Sequence, residues 1–112
     1  MPDMIKAVIQ RPGQISQIIT IPNTLEALQQ LVGGYIETLT LPDGFVIICN
    51  EKGRYLGLQP NVNTYAGVIV GNIIITKAEG EGFVSLTPDQ VQSARGWLLK
   101  HTYEEEKQYE TL

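Results

Sequence analysis

The stretch from Leu31 to Leu58, LVGGYIETLTLPDGFVIICNEKGRYLGL, constrains this chain more than any other part of it. A helix end passes through Gly33-Gly34 into three short β-rich runs, separated by the turn signals Asp43-Gly44 and Asn50-Glu51-Lys52-Gly53. Tyr35 to Leu41 alternates. It sets Tyr35, Glu37 and Leu39 on one face and Ile36, Thr38 and Thr40 on the other, the period of a strand with two unlike sides. Phe45 to Cys49 is apolar at every position, as in a strand buried on both faces. Asp-Gly between two such runs supplies the positive φ of a tight hairpin. Arg54 to Leu58 reads as the third strand. Such a block dictates an antiparallel meander.

The flanks extend this frame. Ile5 to Gln10 and Ile15 to Ile21 are apolar runs around Arg11-Pro12-Gly13-Gln14, and proline followed by glycine at the centre of a turn marks type II, hence a hairpin. Asn23 with Glu26 reads as a capping box. Leu25, Leu28, Leu31 and Val32 recur at helical spacing, and Gly33-Gly34 stops the helix. Gln59 to Thr64 reads as a polar loop. Ala66 to Lys77 reads as one long strand holding Gly71, the mark of a bulge or a close backbone approach. Glu79-Gly80-Glu81-Gly82 turns the chain into Phe83 to Leu86. Thr87-Pro88-Asp89-Gln90 caps a last helix, with Val91, Ala94 and Leu98 on one face and Trp97 beside it, reaching as far as Glu106. Residues 107–112 read as a frayed tail.

The predicted order is β-β-α-β-β-β-β-β-α. This is an α+β fold, a curved and largely antiparallel sheet of about seven short strands with two amphipathic helices. The 112 residues are expected to form one domain, 1–112, large enough to hold a core without staples.

Eight basic residues against twelve acidic ones give a net charge of −4. That balance argues against nucleic-acid binding, which relies on clustered Lys and Arg. Cys49 is the only cysteine, so folding needs no oxidising compartment, and in FVIICN it reads as a small core hydrophobe. The start, MPDMIKAVIQ, lacks the charged and apolar regions of a signal peptide. No apolar run approaches the ~20 residues of a membrane span. A cytoplasmic location and no membrane partner are expected.

No catalytic constellation is visible, and a non-enzyme is expected. Cys49 and His101 are each the only residue of their kind, and nothing in the sequence joins them as nucleophile and base. Glu37 is the one acid in mid-strand, on a solvent face. No spacing of ligands suggests a metal. Gly67 and Gly71 open no helix, and Gly33-Gly34 follows one, so neither pair cradles a phosphate. No cofactor is expected. What remains is a polar set, Asn50, Arg54, Gln59, Asn61, Asn63 and Tyr65, with Asn72 close by. Asparagine amides commonly serve turns, but loops on a rigid sheet also carry function. This set, or an exposed sheet edge used for strand addition, is the candidate surface for a protein partner; Arg54 with the glycine-flanked backbone is the candidate contact for a small anionic ligand.

The segment NTLEALQQLVGGYIETLTLPDGFVIICNEKGRYLGLQPN, Asn23 to Asn61, together with YAGVIVGNIIIT, Tyr65 to Thr76, resembles the domain-of-unknown-function family 3846. The resemblance lies in the helix ending in VGGYIE, the strand ending in a polar-Glu-x-Gly turn, the Gly-x-x-Pro-Asn element and the last VG-containing strand. Val62 follows Pro60-Asn61 where the pattern often has a basic residue, which argues against a phosphate contact there. The resemblance implies a small protein of phages and mobile elements of Gram-positive bacteria, with no established activity. In that setting a binding protein that counters host defence through a protein partner is expected; the alternative is a module that sequesters a small molecule or nucleotide. Unpaired edges in the isoleucine-rich hairpin and in Phe83 to Leu86, with Trp97 and Leu99 beyond the helix's core stripe, favour a homodimer.

Overall fold

A computed structural model of the chain describes residues 3–104. β1 (Met4–Gln10) turns back into β2 (Gln17–Pro22), in register from Met4↔Pro22 to Ile9↔Gln17. The turn is the one predicted: Gly13 takes φ +73°, and the Gln14 N–H donates to the Arg11 carbonyl at 3.0 Å. α1 (Leu25–Val32) follows. Its cap is Thr24, whose hydroxyl accepts the Ala27 N–H, and not Asn23. Asn23 instead donates its amide to the Phe83 carbonyl at 2.9 Å, so the predicted capping box with Glu26 does not form. Gly33 ends the helix at φ +82°. There its N–H reaches the Gln29 carbonyl.

β3 (Ile36–Thr40) and β4 (Phe45–Asn50) form the predicted hairpin, closed through Gly44 at φ +94°. The third meander strand is displaced. Glu51 to Gly57 winds into successive turns, held by Leu56 N–H on the Lys52 carbonyl and Leu58 N–H on the Gly53 carbonyl. The strand is β5 (Pro60–Thr64), in the stretch read as a polar loop. Asn61 and Val62 are both buried there, and the Asn61 amide satisfies its burial with hydrogen bonds that the residue type alone does not announce. The long apolar run also divides. Gly71 takes φ +79°, and a Cβ there would lie 2.7 Å from Leu58 Cδ1. This separates β6 (Gly67–Val70) from β7 (Ile73–Glu79).

β8 (Gly82–Val84) pairs with β7, and α2 (Pro88–His101) completes the order. Thr87 and Gln90 form the predicted capping box. The helix stops at His101 rather than Glu106, because Thr102 bridges to Val62 and the Tyr103 N–H donates to the Asn61 carbonyl at 2.8 Å. The predicted frayed tail lies outside the described residues.

The sheet runs β2-β1-β7-β4-β3 with β8 added to β7; β5-β6 is a separate two-stranded sheet. Every pairing is antiparallel. The fold is α+β as predicted, with eight strands among the described residues instead of about seven. Burial on both faces of β4 makes two core layers. Phe45, Ile47 and Cys49 join Val8, Ile73 and Ile75 under Val91, Ala94 and Leu98 of α2, together with Val62 of β5. Val46 and Ile48 join Ile9 and Ile74 under Leu28 and Val32 of α1.

Candidate functional site

The β5-β6 hairpin lies over the α2 face of the main sheet, since Val62 and Ile69 pack in the same cluster as Leu39 and Cys49. Between β6 and the β3 side of the sheet a cleft of about 550 Å³ remains. Its walls are Glu37 to Leu39 of β3, Cys49 and Asn50 at the end of β4, the turn residues Glu51 to Tyr55, and Ala66 with Val68 to Val70. A second hollow, about 450 Å³, lies beside the C-terminal end of α1, where Arg11, Gln14, Gln30, Gln59 and Asn72 surround Leu31, Val32 and Leu58.

The predicted polar set is divided among these places. Asn50 and Arg54 line the cleft; Gln59 and Asn72 line the second hollow. Asn50 is buried, donating its amide to the Val32 carbonyl at 3.1 Å and accepting the Lys52 N–H at 2.8 Å. It ties the end of α1 to the end of β4. The Arg54 guanidinium donates to the Val68 carbonyl at 2.7 Å, fastening the turn to β6. Asn61, 1% exposed, donates to the carbonyls of Gln10 and Gly71 and accepts from Gln10 Nε2. Asn72 donates to the Leu31 carbonyl at 2.9 Å. Asn63 is exposed on β5. Tyr65, 68% exposed, donates its hydroxyl to the Thr40 carbonyl at 2.9 Å, tying the β5-β6 turn to the end of β3.

Asn50, Asn61 and Asn72 are therefore bound to backbone far away in sequence, and their amides set the positions of elements. Two participants were not read from the sequence. Gln10 and Thr102 complete the Asn61 network through a bond of 3.2 Å. The signal available for Gln10 was a lone amide ending an apolar strand. The β3 edge was also missed, since only tertiary topology tells an edge strand from an inner one.

Burial first, and the Glu37 charge second, push the Cys49 thiol from 9.0 up to about 11, away from thiolate chemistry. Its Sγ lies 3.7 Å from the Glu37 carbonyl. His101 stacks on Trp97 with ring centroids 4.2 Å apart, its Nδ1 2.8 Å from the Trp97 carbonyl. Among the described residues, no cluster of His, Cys, Asp and Glu could hold a metal ion, and no helix is long and apolar enough to cross a membrane.

Neither a curated protein nor a solved structure matches the chain. A family profile does: the one described as Domain of unknown function (DUF3846) covers residues 5–99, from β1 to the last turn of α2. The chain belongs to this DUF3846 family.

Proposed function

We propose that the protein is a non-enzymatic binding protein, an accessory factor of phage or mobile-element type that acts in the cytoplasm of a bacterial host and counters host defence by engaging a protein partner. The site of the proposal is the cleft between β3 and β6. The observation that carries it is the lining of that cleft. Its walls are the edge strand β3 and the β6 hairpin strand, while Asn50 and Arg54 are already bonded to backbone. A lining of strands offers main-chain groups and apolar side chains, which suit a polypeptide better than a free anion. The raised Cys49 thiol favours a binding role over nucleophilic catalysis.

Self-association is a second part of the proposal. β2 is the other edge of the sheet. Ile15 and Ile18 are exposed on its hairpin, and Leu99 is exposed on α2, whose Arg95 bonds Ser16 of the same hairpin. The other predicted edge does not stand free: Asn23 holds the Phe83 carbonyl, Thr76 the Val84 carbonyl, and Lys6 bonds both Ser85 and Leu86.

One observation favours the alternative reading, a small-molecule or nucleotide-binding module. The second hollow gathers Arg11 with the amides of Gln14, Gln30 and Gln59, groups that recognise polar and anionic ligands. Two measurements separate the readings. A photo-cross-linker at Thr38 is expected to capture a specific host protein, whereas the same group at Gln30 does not. A thermal-shift screen with nucleotides and cyclic nucleotides is expected to leave the midpoint unchanged; a ligand-dependent rise abolished by Arg11→Ala would establish the alternative.

A further inference from the structure

We infer that the partner enters as an extended segment that adds as a strand to the free edge of β3, and that Tyr65 marks where the added strand stops. This rests on the protein-binding reading above and specifies how the cleft performs it.

The direction of the β3 backbone groups is fixed by its neighbours. Glu51 N–H donates to the Tyr35 carbonyl at 2.9 Å, and Leu41 N–H donates to the Phe45 carbonyl at 2.7 Å. In an antiparallel ladder, inward and outward bonding alternates residue by residue. Tyr35, Glu37, Leu39 and Leu41 therefore face β4, and Ile36, Thr38 and Thr40 direct N–H and C=O away from it. The Tyr65 hydroxyl on the Thr40 carbonyl is independent proof of that parity. β3 pairs with β4 alone among the described residues. Among the described residues, no turn or side-chain bond reaches the backbone of Ile36 or Thr38.

The chemistry that satisfies alternating N–H and C=O groups at strand spacing is another extended backbone. A second copy of this chain fits poorly. Antiparallel pairing of two β3 strands places both β5-β6 hairpins on the same side of the joined sheet. Centred on Thr38, it also needs the Thr40 carbonyl that Tyr65 holds. A single segment from a partner meets neither obstacle.

The walls state what it carries. The residue opposite Glu37 stands in a close, non-hydrogen-bonded pair, and Glu37 is exposed, so a Lys or Arg is complementary there. Two positions along, on the same face, the segment meets Leu39 and Ile69, which call for an apolar side chain. The Tyr65 ring ends the accessible edge at Thr40, the kind of cover that limits indiscriminate edge pairing.

The test selects short random peptides against the full chain and maps the enriched ones by amide exchange. The expected binders carry an apolar residue two positions from a Lys or Arg. They slow exchange at Ile36 and Thr38, and lose about tenfold or more in affinity against Thr38→Pro. That substitution removes no bond to β4, because the Thr38 N–H points outward. Tyr65→Ala, which removes both the ring and its bond to the Thr40 carbonyl, extends the protection to Thr40. A second arm leaves the protein unaltered: N-methylating alternate peptide amides abolishes binding on one edge of the peptide and spares it on the other. Binders that leave Ile36 and Thr38 unprotected, or that tolerate methylation of both edges, overturn strand addition while the protein-binding reading stands. A selection without binders, together with a nucleotide that raises the midpoint, overturns both.

Discussion

Asn61 is the residue whose removal tests the architecture most severely. It was a candidate for ligand recognition, and it is 1% exposed with its whole amide engaged. Its Nδ2 donates to the Gln10 carbonyl at 2.8 Å and the Gly71 carbonyl at 2.7 Å, while its Oδ1 accepts Gln10 Nε2 at 3.0 Å. Through these bonds β5 is joined to β1 and to the break between β6 and β7. Asn61→Ala removes all of them in a buried setting, where a net hydrogen bond contributes about 1 kcal/mol and a stranded buried group costs about 1–3 kcal/mol. Gln10 Nε2 keeps Thr102 Oγ1 at 3.2 Å and is not stranded. The expected loss is about 3–4 kcal/mol, a large share of the ~5–15 kcal/mol typical of a domain. The midpoint should fall by roughly 15 °C. Urea titration at constant m measures the loss, and a cycle with Gln10→Ala should return a coupling of about 1 kcal/mol or more. Peptide binding in the cleft should weaken too, because its β6 wall hangs on this anchor. A loss below about 1 kcal/mol for Asn61→Ala would refute the claim that the network holds the hairpin to the sheet.

Gly33→Ala and Gly34→Ala should both destabilise, for different reasons. The first forces a side chain into φ +82° and should cost about 1 kcal/mol. The second places a Cβ 2.9 Å from Asn50 Nδ2. Most of that cost should disappear in an Asn50→Ala background, so strictly additive urea midpoints would contradict the contact. With the Cys49 thiol at about 11 in the fold against 9.0, the unfolded chain loses its proton first. Stability should fall as pH rises from 9 towards 11, by at most about 2 kcal/mol relative to Cys49→Ala; parallel pH profiles for the two proteins would exclude this, as would rapid alkylation of the native protein at neutral pH. Sedimentation at micromolar concentration should show a dimer that Ile18→Lys dissociates, and a monomer across that range would remove the β2 interface.

The parts of the fold that were legible in sequence are those fixed by local chemistry. Pro12-Gly13, Asp43-Gly44 and Thr87-Pro88 each name a backbone conformation that few other residues supply, and each turn or cap stands where it was predicted. The unbroken apolar run from Phe45 to Cys49 marked a strand covered on both sides, and α1 and α2 cover it. Errors fall where tertiary contacts decide. Asn23 and Thr24 are both competent caps, and Asn23 loses the role because the distant Phe83 carbonyl takes its amide. Arg54 to Leu58 has strand-like composition, but the Gly53 carbonyl accepts the Leu58 N–H and curls the segment into turns.

The same reasoning explains why the candidate surface was only half visible. A sequence shows which residues carry amides; it does not show which amides are already satisfied. Asn50, Asn61 and Asn72 have the chemistry of recognition, and each is bonded to a backbone carbonyl brought near by folding. On the strand-addition proposal, the groups that meet a partner are main-chain atoms of Ile36 and Thr38, which every residue possesses and no sequence pattern distinguishes. What singles them out is a conjunction: the alternation of β3, its place at the end of the strand order, and Tyr65 lying across the next carbonyl. The alternation was plain in Tyr35 to Leu41, and it determines which face each side chain takes. The cleft beside the outward row of N–H and C=O has β6 as its other wall, and β6 stops because Gly71 turns at φ +79° against Leu58. A strand running unbroken from Ala66 to Lys77 would have had no separate hairpin to lay over the sheet, and β3 would have had no cleft beside it.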